Sequence, residues 1–217
     1  RCHFPIERES IKQIYSCHTF EHFDEQTLSR VLREAHRVMA ADGEFLIKIP
    51  DYDLYLDLYE AGEIQALKQA TLIHKVSEYI SAAGIDINCE TILSFSLCNY
   101  WNSAYGADLY QKSTITNNDG AYFGPAKIRD SQLLQDIFKS RSPYKISQAL
   151  RSFVVTTEED YIWGHQLAFS ALEFKAFLER HGFFVMSSDK QAIMQHCATW
   201  PEIEWLADRS MFVLVGK

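Results

Sequence analysis

The chain has 217 residues, 47% of them hydrophobic and 13% aromatic, with a formal net charge of -8. That composition supports one folded domain with room for an insertion, and it argues against a disordered chain. No basic run stands out, which argues against a non-specific binder of nucleic acid or anionic membrane. The five cysteines (Cys2, Cys17, Cys89, Cys98, Cys197) are scattered and form no C-x-x-C. Free thiols in a reducing, cytoplasmic setting are therefore expected rather than a disulfide framework or zinc ribbon. No apolar run approaches the ~18 residues of a spanning helix, and Arg1 to Ser10 lacks the apolar centre of a signal peptide.

The stretch from Ile11 to Asp53 is the most informative. Gln13 to Cys17 reads as a short buried strand. Asp24 is placed to cap a helix, with Glu25 in its first turn. Leu28, Val31, Leu32, Ala35 and Met39 then fall on one helical face. Gly43 is expected to close that helix in the left-handed conformation. Phe45 to Ile49 is a second strand, stopped by Pro50. Strand, helix, strand implies a parallel βαβ unit, and ligands of open α/β sheets bind at the carboxyl ends of the strands. Here those ends are Ser16 to His22 and Pro50 to Asp53.

Beyond Asp53 the pattern turns helical. A short helix is expected over Leu54 to Tyr59, a longer one over Gln65 to Ala83, and others over Glu90 to Trp101 and Asp130 to Lys139. Asn117 to Gly120 is a turn cluster. Arg141 to Tyr161 reads as irregular, with one strand at Phe153 to Thr156. Ser170 and Glu173 have capping-box spacing. Phe174, Phe177, Leu178 and His181 share the face of the following helix. Gly182 ends it, and strands follow at Phe183 to Ser187 and Met211 to Val215. Ile193 to Trp205 has no clear pattern.

Several of these strings resemble a known family. Phe4-Pro5-Ile6, Tyr15-Ser16-Cys17-His18-Thr19-Phe20-Glu21-His22, Glu34 to Met39, Asp42-Gly43 and Ile49-Pro50-Asp51 resemble the class I S-adenosylmethionine-dependent methyltransferases. The small sugar-pathway members of that family are the nearest likeness. Gly164-His165 with Phe169 to Phe183 resembles the family's later His, helix and Gly-Phe segment. The resemblance covers roughly residues 1–60 and 160–190. It implies an α/β fold, a Rossmann-like mostly parallel sheet with a helical insertion. It also implies core at residues 1–53 and 162–217, with an insertion or cap at 54–161. The family's Gly-rich cofactor loop has no counterpart, because no G-x-G occurs in the chain. The resemblance therefore leads us to expect that the N-terminal half of the sheet lies outside this sequence.

The resemblance further implies S-adenosylmethionine as cofactor and methyl transfer to a small-molecule O or N acceptor, such as a sugar or secondary metabolite. Ser16, Cys17, His18 and Phe4 are its cofactor-binding positions. His22, His165 and Asp51 are candidates for catalysis, and Tyr52, Trp101 and Tyr105 for the substrate side. Histidine suits a general base near neutral pH, although a backbone-bonded turn residue is the plain alternative for His22. The expected partner is a small-molecule substrate, with neither nucleic acid nor membrane and with a homo-oligomer left open.

Two other readings compete. His18-Thr19-Phe20-Glu21-His22 matches H-x-x-E-H, a zinc-protease pattern that needs both histidines on one helix. The aromatic middle (Tyr100, Trp101, Tyr105, Tyr110, Tyr122, Phe123, Trp163) could instead serve a non-catalytic methyltransferase-like binding module, although core and lid packing is the simpler account.

Overall fold

The computed structural model describes residues 3–71, 87–98, 131–152, 165–201 and 203–217. They divide into two compact units, Arg1–Asp51 with Ala171–Lys217, and Tyr52–Ser170.

The first unit is a mixed α/β structure. Strand β1 (Ile11–Cys17) leads through a 3-10 turn (Phe20–His22) into helix α1 (Glu25–Val38), which leads into strand β2 (Met39–Pro50). After the second unit come helix α7 (Ala171–Arg180), strand β3 (Phe184–Ser187), helix α8 (Lys190–His196) and strand β4 (Ser210–Gly216). The sheet order is β1-β2-β4-β3. β1 and β2 pair in parallel, as the βαβ pattern requires, and β4 is antiparallel to both its neighbours. Three strands thus share one direction and β4 is reversed between two of them, so most pairings are antiparallel although most strands are aligned. The arrangement is compatible with a Rossmann-like methyltransferase fold.

Asp24 caps α1 as its position suggested, its carboxylate accepting from the Thr27 N–H at 2.6 Å. The buried face of the helix is Leu28, Leu32, Ala35 and Val38. Packing on β2 follows the strand's period of two. Phe45 meets Phe20 and Phe183 on one face of the sheet. Leu46 packs on the other, with Phe212, Leu214, Ile193 and Trp200. Gly182 does close α7 with a left-handed φ of 90°.

Gly43 does something different from what its sequence position suggested. α1 ends at Val38 and the chain turns extended at once, with φ −66° and ψ 132° at Met39. Gly43 lies inside β2, where the register jumps from Ile11↔Met39 to Gln13↔Glu44. A Cβ there would stand 2.7 Å from Met39 Cγ and 3.0 Å from the Ala40 and Ile11 carbonyl oxygens. The glycine is needed for close backbone approach at an irregularity in the strand, not for a left-handed helix end.

Two further expectations are corrected. The chain before Trp205 contains α8, capped by Asp189 on the Ala192 N–H. Likewise, part of the region expected to be irregular is a helix in the second unit, Pro143–Arg151, with Ser142 as its cap and Pro143 in its first turn. In both places the cap residue was the available signal.

The described part of the second unit is helical: α2 (Tyr52–Glu60), α3 (Ile64–Ala70), α4 (Cys89–Cys98), α5 (Ser131–Phe138) and α6 (Pro143–Arg151). They enclose one apolar core that includes Tyr52, Leu67, Phe95, Phe138 and Leu150. The end of the long helix expected to reach Ala83, the Asn117 turn and the strand at Phe153 lie outside the described residues, as do the aromatics between Tyr100 and Phe123 and Trp163. No helix among the described residues is long and apolar enough to cross a membrane. Cys89 and Cys197 are free thiols.

Candidate active site

The carboxyl end of β1 brings Ser16, Cys17 and His18 together with Glu21 and His22. The His18 N–H continues the ladder by donating to the Lys48 carbonyl at 2.9 Å. His18 itself takes φ 45°, a left-handed conformation costly for a residue other than glycine. That bend takes the chain off the strand and into the Phe20–His22 turn, where the His22 N–H donates to the Thr19 carbonyl. Such strain, where the surroundings enforce it, is concentrated at functional sites. The Ser16 hydroxyl is buried, with no hydrogen-bond partner among the described residues.

The end of β2 is tied to the same tip through β4. Pro50 pairs with Ser210, and the Asp51 N–H donates to the Arg209 carbonyl. Ser210 reaches across to His18, its Oγ 2.8 Å from Nε2. The same Oγ donates to the Leu206 carbonyl at 2.7 Å. Since a hydroxyl has one proton, the His18 Nε2–H must be the donor to Ser210. His18 Nδ1 faces Glu21 Oε1 at 3.3 Å, and the Glu21 side chain is almost fully buried. The H-x-x-E-H pattern needs both histidines on one helix, whereas His18 precedes the turn that His22 ends.

Phe4 does not join this cluster. Its N–H donates to Glu34 Oε2 at 3.0 Å and its carbonyl accepts from Arg37 Nη2 at 3.0 Å. Both partners lie in the last turns of α1, whose end meets the start of β1 through the Ser10 N–H and the Val38 carbonyl. Phe4 is therefore held at the opposite end of the seven-residue β1, about 20 Å from the strand tip at the usual rise per residue.

The clamp has a measurable signature. Hydrogen bonding from Arg37, then from the Phe4 N–H, lowers the Glu34 pKa from 4.5 to about 2. A carboxyl depressed by folding contributes stability above its unfolded pKa, and that contribution is lost as pH falls from about 4.5 to about 2. A carbon-13 carboxyl titration should place the Glu34 midpoint near 2. A midpoint near 4.5 would mean that the clamp does not form.

In the second unit, Tyr52 and His165 come together. The His165 Nδ1 lies 2.7 Å from the Ser96 carbonyl and 3.3 Å from Tyr52 Oη. A carbonyl only accepts, so Nδ1 carries a proton and Nε2 bears the lone pair of the neutral ring. Both residues are buried. Trp101 and Tyr105, the other substrate-side candidates, lie outside the described residues.

Sequence reasoning passed over Lys48, Trp205 and Ser210. Lys48 is wholly buried in β2, its Nζ donating to the Ile203 and Trp205 carbonyls at 3.1 and 2.6 Å. A lysine in the otherwise apolar run Phe45 to Ile49 was the one signal that could have drawn attention to it.

Residues 2–47 match the family model of the methyltransferase domain. The match supports a likeness of this segment to the S-adenosylmethionine-dependent methyltransferases, a family that in general binds S-adenosylmethionine. The match ends within β2, so it includes the β1 tip and all of α1. No curated protein and no solved structure matches the chain.

Proposed function

We propose that the protein transfers a methyl group from S-adenosylmethionine to a hydroxyl or amine of a small molecule, with a sugar or secondary metabolite as the acceptor class. One observation carries the reading. The segment that matches the methyltransferase domain folds as a βαβ unit and presents Ser16, Cys17 and His18 where open α/β sheets bind ligands. The Ser16 hydroxyl fits a polar ligand at that tip, since a buried hydroxyl left unbonded costs stability that a ligand acceptor would restore.

The cofactor supplies an electrophilic methyl group on a sulfonium. What the protein must do is hold the acceptor in line, exclude water and take up the acceptor's proton. In this proposal Ser16 and the backbone of Cys17 and His18 hold the cofactor. His22 takes the proton, with Asp51 orienting the acceptor. Within the second unit, considered by itself, His165 is the alternative candidate for the base and the neighbouring Tyr52 hydroxyl for a substrate contact.

The test is calorimetric titration of the protein with S-adenosylmethionine and S-adenosylhomocysteine. Dissociation constants in the range of about 1–100 μM would support the reading, because such affinities correspond to roughly 5–8 kcal/mol of specific binding. Absence of binding by the folded protein would overturn it in favour of a non-catalytic methyltransferase-like module.

A further inference from the structure

The segment Ile203–Ser210 is fastened at several points to the sheet and to α8. Lys48 holds the Ile203 and Trp205 carbonyls. Lys190 holds the Ala207 carbonyl at 2.6 Å. The Trp205 ring stands edge-on to the His18 ring at 5.5 Å, with Trp205 itself half exposed. Leu206 takes φ 52°, an unfavourable conformation for a bulky residue. Its carbonyl receives the Ser210 hydroxyl proton, so the wholly buried Ser210 joins two strained residues, Leu206 and His18.

The chain of donors has one direction. Ser210 gives its proton to Leu206 and can only accept from His18, which fixes the His18 ring with a proton on Nε2. Nδ1 is thereby turned to Glu21.

We propose that Ser210 is a positioning residue for cofactor binding. It locks the His18 ring and thereby holds the strained His18 peptide that, on the function proposed above, borders the cofactor together with Ser16 and Cys17. Lys48 acts one step further back, by fixing the segment from which Ser210 makes its bond. Ser210 need not touch the cofactor.

The experiment uses the full chain labelled with nitrogen-15. Long-range proton–nitrogen correlation reads the His18 tautomer, and calorimetry reads S-adenosylhomocysteine affinity, for wild type and Ser210→Ala. Wild type should show a proton on Nε2. Ser210→Ala should lose that single signature and bind S-adenosylhomocysteine about tenfold more weakly, the equivalent of one net hydrogen bond. An unchanged His18 signature in the variant would overturn the lock. A changed signature with affinity within about twofold of wild type would overturn the positioning role. A wild type that shows the Nε2–H signature but binds no S-adenosylhomocysteine would sink the methyltransferase reading, and the positioning role with it, while leaving the ring lock in place.

Discussion

Replacing His22 by Ala is expected to slow methyl transfer by about 10²–10⁴-fold, the usual contribution of a positioned general base. S-adenosylhomocysteine affinity should stay within about twofold, because a base acts on the acceptor and not on the cofactor. The argument is one of elimination within the strand tip. His18 is bonded to Ser210 through Nε2, and its Nδ1 lies 3.3 Å from Glu21 Oε1. His22 ends a short turn between β1 and α1, with its N–H bonded to the Thr19 carbonyl. The measurement is release of S-adenosylhomocysteine with an acceptor found by screening hydroxyl and amine compounds. His165→Ala belongs in the same assay. Loss in His165→Ala with full turnover in His22→Ala would move the base to the second unit. Full turnover in both would leave a reaction that depends on positioning alone.

Lys48→Met is expected to lower stability by about 2–3 kcal/mol, which for a protein of this size is roughly 5–10 °C in melting temperature. The methionine keeps most of the apolar stem but leaves the Ile203 and Trp205 carbonyls without the ammonium. It also removes the charge that lies 5.0 Å from the centre of the Phe212 ring. Relief of the desolvation of a buried ammonium opposes these losses and keeps the figure from being larger. Scanning calorimetry decides it. A melting temperature equal to or above wild type would show that desolvation outweighs the carbonyl bonds, and Lys48 would then not be the anchor of the Ile203–Ser210 segment.

The sheet-bearing segments were legible because their signals are local. Asp24 caps α1, and Gly182 has the positive φ that its place after a helix requires. The apolar run at Phe45 is a strand paired in parallel with β1. Gly43 was misread because its role depends on Met39 and Ile11, which approach it only once the strands pair. α8 was missed because its seven residues bury mainly Ile193, too little periodicity to stand out.

The candidate site divides in the same way. By itself the sequence determined the βαβ unit, the strand tip Ser16 to His22, and the likeness to the methyltransferase domain that residues 2–47 bear out. Spacing along one strand and one helix is a property of the chain alone. The tertiary structure decided the rest. It set Phe4 at the far end of β1, bound to Glu34 and Arg37. It brought Ser210 onto His18 from the other end of the sequence and closed a buried lysine under the carbonyls of a late loop. Those contacts join residues far apart in the chain, and no local period encodes them. They form because β4 inserts beside β2, and a buried polar group must then find its partner among whatever that pairing brings near.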